Sequence, residues 1–158
     1  MKTFKLKGLS VIWMEDSNLS RELIPLTDGL IINKEDEQEN WLVEGLIPNE
    51  SAEFFESLAT LEQPFVIEAV ITKESNTPAP FSATIRKLKA FEDHLEILLD
   101  AKMIVKKQDA AELLLQELIE EGLVGQELFQ EFKRIKTDRG RSYQGAIEKE
   151  VEKMKSNL

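Results

Sequence analysis

Thr3-Phe4-Lys5-Leu6-Lys7-Gly8-Leu9-Ser10-Val11-Ile12-Trp13 changes phase in its middle: Phe4 and Leu6 share one parity, while Leu9, Val11 and Trp13 share the other. Side chains alternate between the two faces of a strand, so one extra residue in the ladder moves the whole apolar set to the opposite face. Gly8 stands at the switch, where a β-bulge is expected. A second slip follows the clean alternation of Phe81, Ala83 and Ile85, near Arg86–Lys87 and before Leu88. Bulges supply the bends that closing a sheet requires, so they favour a closed or nearly closed barrel; a sandwich is the competing architecture.

Other extended candidates surround these two. Arg21–Leu26, Leu30–Asn33 and Trp41–Ile47 are short runs, and Pro25 demotes the first to an edge strand or a bend. Asp28-Gly29 is a turn signal between two of these runs. Phe65–Thr72 is almost continuously apolar, broken by Glu68, as a central strand would be, and the polar stretch Lys73–Pro80 follows as a hairpin loop. His94–Ala101 puts Leu95, Ile97 and Leu99 on one face and His94, Glu96 and Asp100 on the other. One short helix interrupts the strands. Asn49 or Ser51 is placed to cap it, Phe54, Phe55 and Leu58 give it an apolar face, and it must stop before Gln63-Pro64.

Beyond Lys107 the apolar period becomes 3.6. Ala111, Leu114, Leu115, Leu118 and Ile119 form a stripe that Gly122 is placed to end. A second run carries Leu128, Phe129, Phe132 and Ile135, then Tyr143, Ile147, Val151 and Met154, with the glycine-containing stretch 137–141 between its halves. The first helix is about 14 residues, roughly 21 Å, and the second run about 31, roughly 46 Å if unbroken. The short arm covers only part of the long one, so Tyr143, Ile147, Val151 and Met154 need another surface: the barrel, a second copy or a partner. The pattern is that of an α+β protein. Residues 1–106 form a mainly antiparallel β-barrel with one short helix, and 107–158 a C-terminal two-helix appendage on the barrel or a partner.

A chain of 158 residues with 42% apolar side chains buries a sufficient core without metal or disulfide, and it has no cysteine. That removes disulfides, thiolate metal sites and Cys nucleophiles, and it suits a reducing compartment. The alternating start (Lys2, Phe4, Lys5, Leu6, Lys7) does not resemble a secretion signal, and no apolar run is long enough to span a membrane. The protein is therefore expected in the cytoplasm, away from membranes. The net charge of −10 argues against nucleic acid. It is uneven: −8 over residues 1–106, −6 over 107–132 and +4 over 133–158. The basic distal arm should dock within the chain or on an acidic partner.

No motif for chemistry emerges. The glycines are isolated, so no phosphate loop is present, and the single histidine forbids a two-histidine metal motif. His94 shares a polar face with Glu96 and Asp100; an exposed strand histidine is the plainer reading, a base or ligand the sharper one. The run 34–40 holds four carboxylates but lacks the spacing of a calcium loop, and reads as a solvated connection between strands. Lys133, Arg134, Lys136, Arg139 and Arg141 form the only basic cluster. They read as a solvated or internally paired helix face, or as a contact for an acidic partner. Trp13 and Trp41 suit core positions better than a ligand cavity, and Phe129 with Phe132 suits the seam between the two helices.

The opening Met1-Lys2-Thr3-Phe4-Lys5-Leu6, the size, the strand-rich first two-thirds and the helical end together resemble the YwpF-like family of small uncharacterised proteins of Gram-positive bacteria. That resemblance implies a β-barrel core with a two-helix pair, the barrel similar in shape to the tube-forming proteins of type VI secretion. Likeness of fold carries no function with it. The expectation is a non-catalytic scaffold or interaction protein without cofactor or metal, its helical tail mediating self-association or partner binding. The surface proposed for this is Tyr143, Ile147, Val151 and Met154 with Lys133, Arg134, Lys136, Arg139 and Arg141. A small-molecule-binding barrel is the alternative.

Overall fold

The computed structural model describes residues 1–104, 107–137 and 144–156. Strand β1 (Lys2–Glu15) organises the sheet because it is paired along both edges. On one edge, residues 6–12 pair with β5 (Phe65–Ile71). On the other, Leu9–Glu15 pair with β2 (Asn18–Ile24) and Lys2–Lys5 with β3 (Asp28–Asn33). Asp16 and Ser17 both have positive φ, which gives the two-residue turn whose twist suits a hairpin. β2 and β3 both run antiparallel to β1, one beyond the other, so the chain does not reverse between them. Asp28-Gly29 is accordingly no turn but the start of β3, with Gly29 opposite Gly45; the actual interruption is at Pro25. β2 pairs only with β1, as the proline suggested for an edge.

β4 (Asn40–Pro48), β7 (His94–Met103) and β6 (Ala79–Ala90) continue the order from β3 round to β5, and β5 on β1 closes a six-strand antiparallel barrel. Both expected bulges are present. The β1–β5 register shifts between Leu6 and Gly8, and the β6–β7 register shifts between Ile85 and Lys87. The first lets Leu6 and, after the shift, Leu9 and Val11 all point into the core; the second leaves Arg86 free to reach Asp100 with its Nε at 3.1 Å. Inside, Ile31, Val43, Ile47, Ile67, Phe81, Ile97 and Leu99 are fully buried. Gly29 and Gly45 leave room for this filling: a Cβ at Gly45 would lie 3.2 Å from Leu26 Cδ2 and 3.3 Å from Ile97 Cγ1.

The helix α1 (Ala52–Leu61) plugs the barrel with Phe55, which is fully buried, while Phe54 meets Trp13 at 6.3 Å between ring centres. It ends at Glu62 in left-handed conformation, before Gln63-Pro64 as expected. Its start differs. Ser51 holds the cap position without a side-chain bond, and Asn49 sits in a preceding 3-10 turn, where its amide donates to the Glu92 carbonyl at 2.9 Å. Three helices follow the barrel among the described residues: α2 (Lys107–Glu120), α3 (Gly125–Thr137) and α4 (Gln144–Ser156). The expected long second run thus appears as two helices, and whether 137–141 form the break lies outside the described residues beyond Thr137.

The near-continuous apolarity of β5 now has a cause. Phe65, Ile67 and Ala69 face the barrel core, whereas Val66 faces outward and pairs with the outward Ile12. Both are buried on the outer wall by Ile147 and Val151 of α4, with Met14, Leu19, Ile104 and Met154 around them. Each buried aliphatic side chain contributes about 1.5–3 kcal/mol, set against the ordering of a helix short enough to be marginal alone in water.

Candidate functional site

The helices α2 and α3 form a hairpin with a core of its own. Leu114, Leu118 and Ile135 are buried, with Leu123, Leu128 and Phe132 packed against them. Gly122 turns the chain at φ +90; its N–H donates to the Ile119 carbonyl at 3.0 Å and that of Leu123 to Leu118 at 3.2 Å. This pair of bonds is the Schellman arrangement, and the Leu123–Leu118 contact completes it. Glycine is needed here because a left-handed residue at the helix end strains any side chain with a Cβ.

The seam uses only part of the apolar surface of the hairpin. Leu115 is 38% exposed, Ile119 55%, Val124 75% and Phe129 63%. Leu115 and Ile119 each follow a seam residue on α2, and Phe129 follows Leu128 on α3. In an antiparallel helix pair, a step of one residue past the seam swings to the same side on both helices, since each residue turns 100°. Leu115, Ile119 and Phe129 therefore lie towards one side of the hairpin, and Val124 is exposed in the connection between its helices. Among the exposed carboxylates, Glu112 and Glu120 flank this set on α2, whereas Glu117 and Glu127, one step before the seam residues Leu118 and Leu128, turn to the other side by the same rule. The spacing of Phe129 and Phe132 suits the seam for both, but the structure seats only Phe132 there. The legible sign was the width of the α2 stripe: Leu114, Leu115, Leu118 and Ile119 are more than one partner helix can cover.

The proposed distal surface is divided. Ile147 and Val151 are buried and Met154 half-buried against the chain's own barrel wall, so in this conformation they are not open to a partner. Lys133 and Arg134 are exposed on α3, with Arg134 bonded to Glu131 through Nη2 and, at 3.3 Å, through Nε. Tyr143, Arg139 and Arg141, and the side chain of Lys136, lie outside the described residues.

The remaining candidates stay apart. His94 Nδ1 lies 2.7 Å from Asp93 Oδ1 and its ring stacks on Phe91 at 4.6 Å. The hydrogen bond from His94, and after it one from the backbone N–H of Asp93 itself, holds the Asp93 carboxyl below its ordinary range. Asp100 is engaged by Arg86 and, at 3.9 Å, by Lys34. Six residues along a strand is about 20 Å, so His94 and Asp100 do not form one site. The acidic run is the β3–β4 loop and is bonded to itself. Asp36 accepts from the Asn40 backbone N–H at 2.8 Å and from its side-chain amide at 2.9 Å, which lowers the Asp36 pKa. Glu35 binds the Met1 amine at 2.8 Å, which lowers its pKa likewise. Trp41 packs on Phe81 at 5.4 Å and Phe4 at 6.4 Å, as a core residue does. No group of three or more His, Cys, Asp or Glu side chains with metal-binding geometry occurs among the described residues.

The model of the YwpF-like protein family matches residues 2–135. The chain belongs to the YwpF-like family. It is 40% identical over 134 residues to the uncharacterized protein YwpF of Bacillus subtilis (strain 168), a match covering 85% of this chain and 98% of that protein. It is also similar to the crystal structure of a hypothetical protein from Staphylococcus aureus, with 36% identity and a TM-score of 0.58, covering 89% of this chain and 96% of that one. The family match takes in the barrel, α1, α2 and nearly all of α3; it ends at Ile135, before α4 begins. No helix among the described residues is long and apolar enough to cross a membrane.

Proposed function

We propose that this protein is a non-catalytic cytoplasmic interaction protein, in which the barrel is a scaffold that presents the α2–α3 hairpin to a protein partner. The observation that carries this reading is the outward set Leu115, Ile119, Val124 and Phe129 on a hairpin whose own core is already closed. Apolar side chains gathered on one face and rimmed by polar groups mark interaction sites on soluble proteins. The hairpin from Lys107 to Thr137 sets seven carboxylates against four basic side chains, a net −3, so two such hairpins repel each other, and a partner with an apolar face and a basic rim fits better than a second copy of the hairpin. The barrel interior, filled by Phe4, Trp41, Phe81 and the aliphatic residues around them, favours a scaffold over a small-molecule container. The absence of Cys agrees with work in a reducing compartment.

The test is affinity capture with the wild type beside Ile119→Ser/Phe129→Ser. Both residues are more than half exposed, so the variant should melt within a few degrees of the wild type. A protein held by the wild type and released by this variant supports the reading. Capture of the same partners in equal yield by both overturns it.

A further inference from the structure

The α2–α3 hairpin joins the rest of the protein at two feet, and both stand on one patch of the barrel wall. Ile12 of β1 and Val66 of β5 lie opposite each other on the outside of the barrel, and both are buried. Ile104, shortly before α2 begins at Lys107, packs against this pair. Its N–H donates to the Pro80 carbonyl at 3.1 Å, which ties the first foot to β6. Ile147 and Val151 of α4 are buried on the same pair, so the chain that leaves α3 at Thr137 is tied back to the wall once α4 begins at Gln144. Between the feet the hairpin has its own core, and neither apolar cluster of the barrel includes a described side chain of α2 or α3. The family match takes in the first foot and ends short of the second.

We propose that α4 is a clamp: by staying docked on the wall it makes a hairpin tethered at one end into one tethered at both. It thereby sets the direction in which Leu115, Ile119 and Phe129 point from the barrel. The inference rests on the reading of that exposed face as the contact surface. An arm held by one short connection swings about it, and a partner must then order the arm as well as bind it. Two tethers on one wall leave only rocking about the line that joins them. The wall can bear this because β1 is paired along both edges and the strands close into a ring. A helix of 13 residues is marginal alone in water, so burial of Ile147 and Val151 is what keeps the second foot in place. These two are positioning residues: they touch the wall and act on the contact face only through the chain that joins α4 to α3.

The test separates tether from packing. About ten Gly and Ser residues inserted after Gly140 lengthen the connection between α3 and α4 into a flexible coil and leave the side chains of the wall cluster untouched. Amide relaxation by nuclear magnetic resonance, recorded on the full chain, reads the tumbling of barrel and hairpin separately. In the wild type both should fit one correlation time. In the insertion variant the hairpin amides should fit a time shorter by roughly a third or more, with the barrel unchanged and the methyl contacts of Ile147 with Val66 retained. Ile147→Ser/Val151→Ser should loosen the hairpin likewise, by freeing the second foot itself. A hairpin that already tumbles apart from the barrel in the wild type overturns the clamp. So does one that stays locked to the barrel in the insertion variant. Capture of a partner through Ile119 and Phe129 is read by a different assay, so the contact surface and the clamp can each fail alone.

Discussion

The barrel and the α2–α3 hairpin treat their apolar residues in opposite ways. Around the barrel, inward positions fill a closed core, and the outward pair Ile12 and Val66 is covered by α4. On the hairpin, Leu114 and Leu118 are buried, yet Leu115 and Ile119, one step further round the same helix, are left in solvent. A ring of strands has two faces and covers each separately. A two-helix unit has one seam and cannot cover a stripe wider than that seam. The barrel thus buries apolar side chains on both faces of its β1–β5 wall, with α4 as the outer cover, while the hairpin leaves part of its apolar surface in solvent.

The largest effect should come from the barrel interior. Ile97→Ala removes a fully buried side chain from β7 between β4 and β6, and should cost about 2–5 kcal/mol in chemical denaturation. Phe129→Ala, a larger truncation on the hairpin surface, should stay within about 0.5 kcal/mol; a cost near that of Ile97→Ala would erase the contrast. Gly45→Ala comes next. Its Cβ would press on Leu26 and Ile97, and about 1–3 kcal/mol of destabilisation is expected, seen as a lower Tm. Unchanged melting would mean that the interior is looser than its packing implies. Ile147→Ala falls at about 1–3 kcal/mol, because loss of α4 packing is limited by release of the helix rather than by collapse of the barrel. Hydrogen exchange should then quicken in α4 while the β4 and β7 amides stay protected; loss of protection in both would make α4 part of the core.

The smallest effect concerns pH. Asp36 has its pKa lowered from an ordinary 3.8 by hydrogen bonds from Asn40. Its contribution to the β3–β4 loop is therefore complete above that ordinary value and is lost as the pH falls through the lowered one. Amide exchange at Lys34 and Asn40 should rise over that acid range in the wild type, and be fast at every pH in Asp36→Ala. The barrel should not respond.

Much of the barrel was legible because a strand announces its faces with every residue. The phase switches at Gly8 and near Arg86 gave both bulges, and the uninterrupted Phe65–Thr72 gave a strand covered on two sides. The Asp16-Ser17 turn left no such sign, since it reaches positive φ without the glycine or asparagine that usually marks it. Asp28-Gly29 carried the opposite trap: a turn-like pair used in a strand, where the absence of a Cβ makes room for Leu6. The site was less legible than the fold. The spacing of Ile147, Val151 and Met154 calls for a further surface, and the barrel wall provides it; Tyr143, on the same stripe, lies outside the described residues. The spacing suits Phe129 to the seam as well as Phe132, because spacing along one helix does not say which of two aromatic side chains three residues apart the second helix will reach.

The division of labour between wall, cover and hairpin rests on α4 being docked within its own chain. Methyl nuclear Overhauser effects from Ile147 and Val151 to Ile12 and Val66, recorded on a mixture of labelled and unlabelled full chains, test this most directly. The account predicts that the cross-peaks arise within a single chain and persist on dilution. Cross-peaks only between chains, or none while the barrel signals remain, would contradict it.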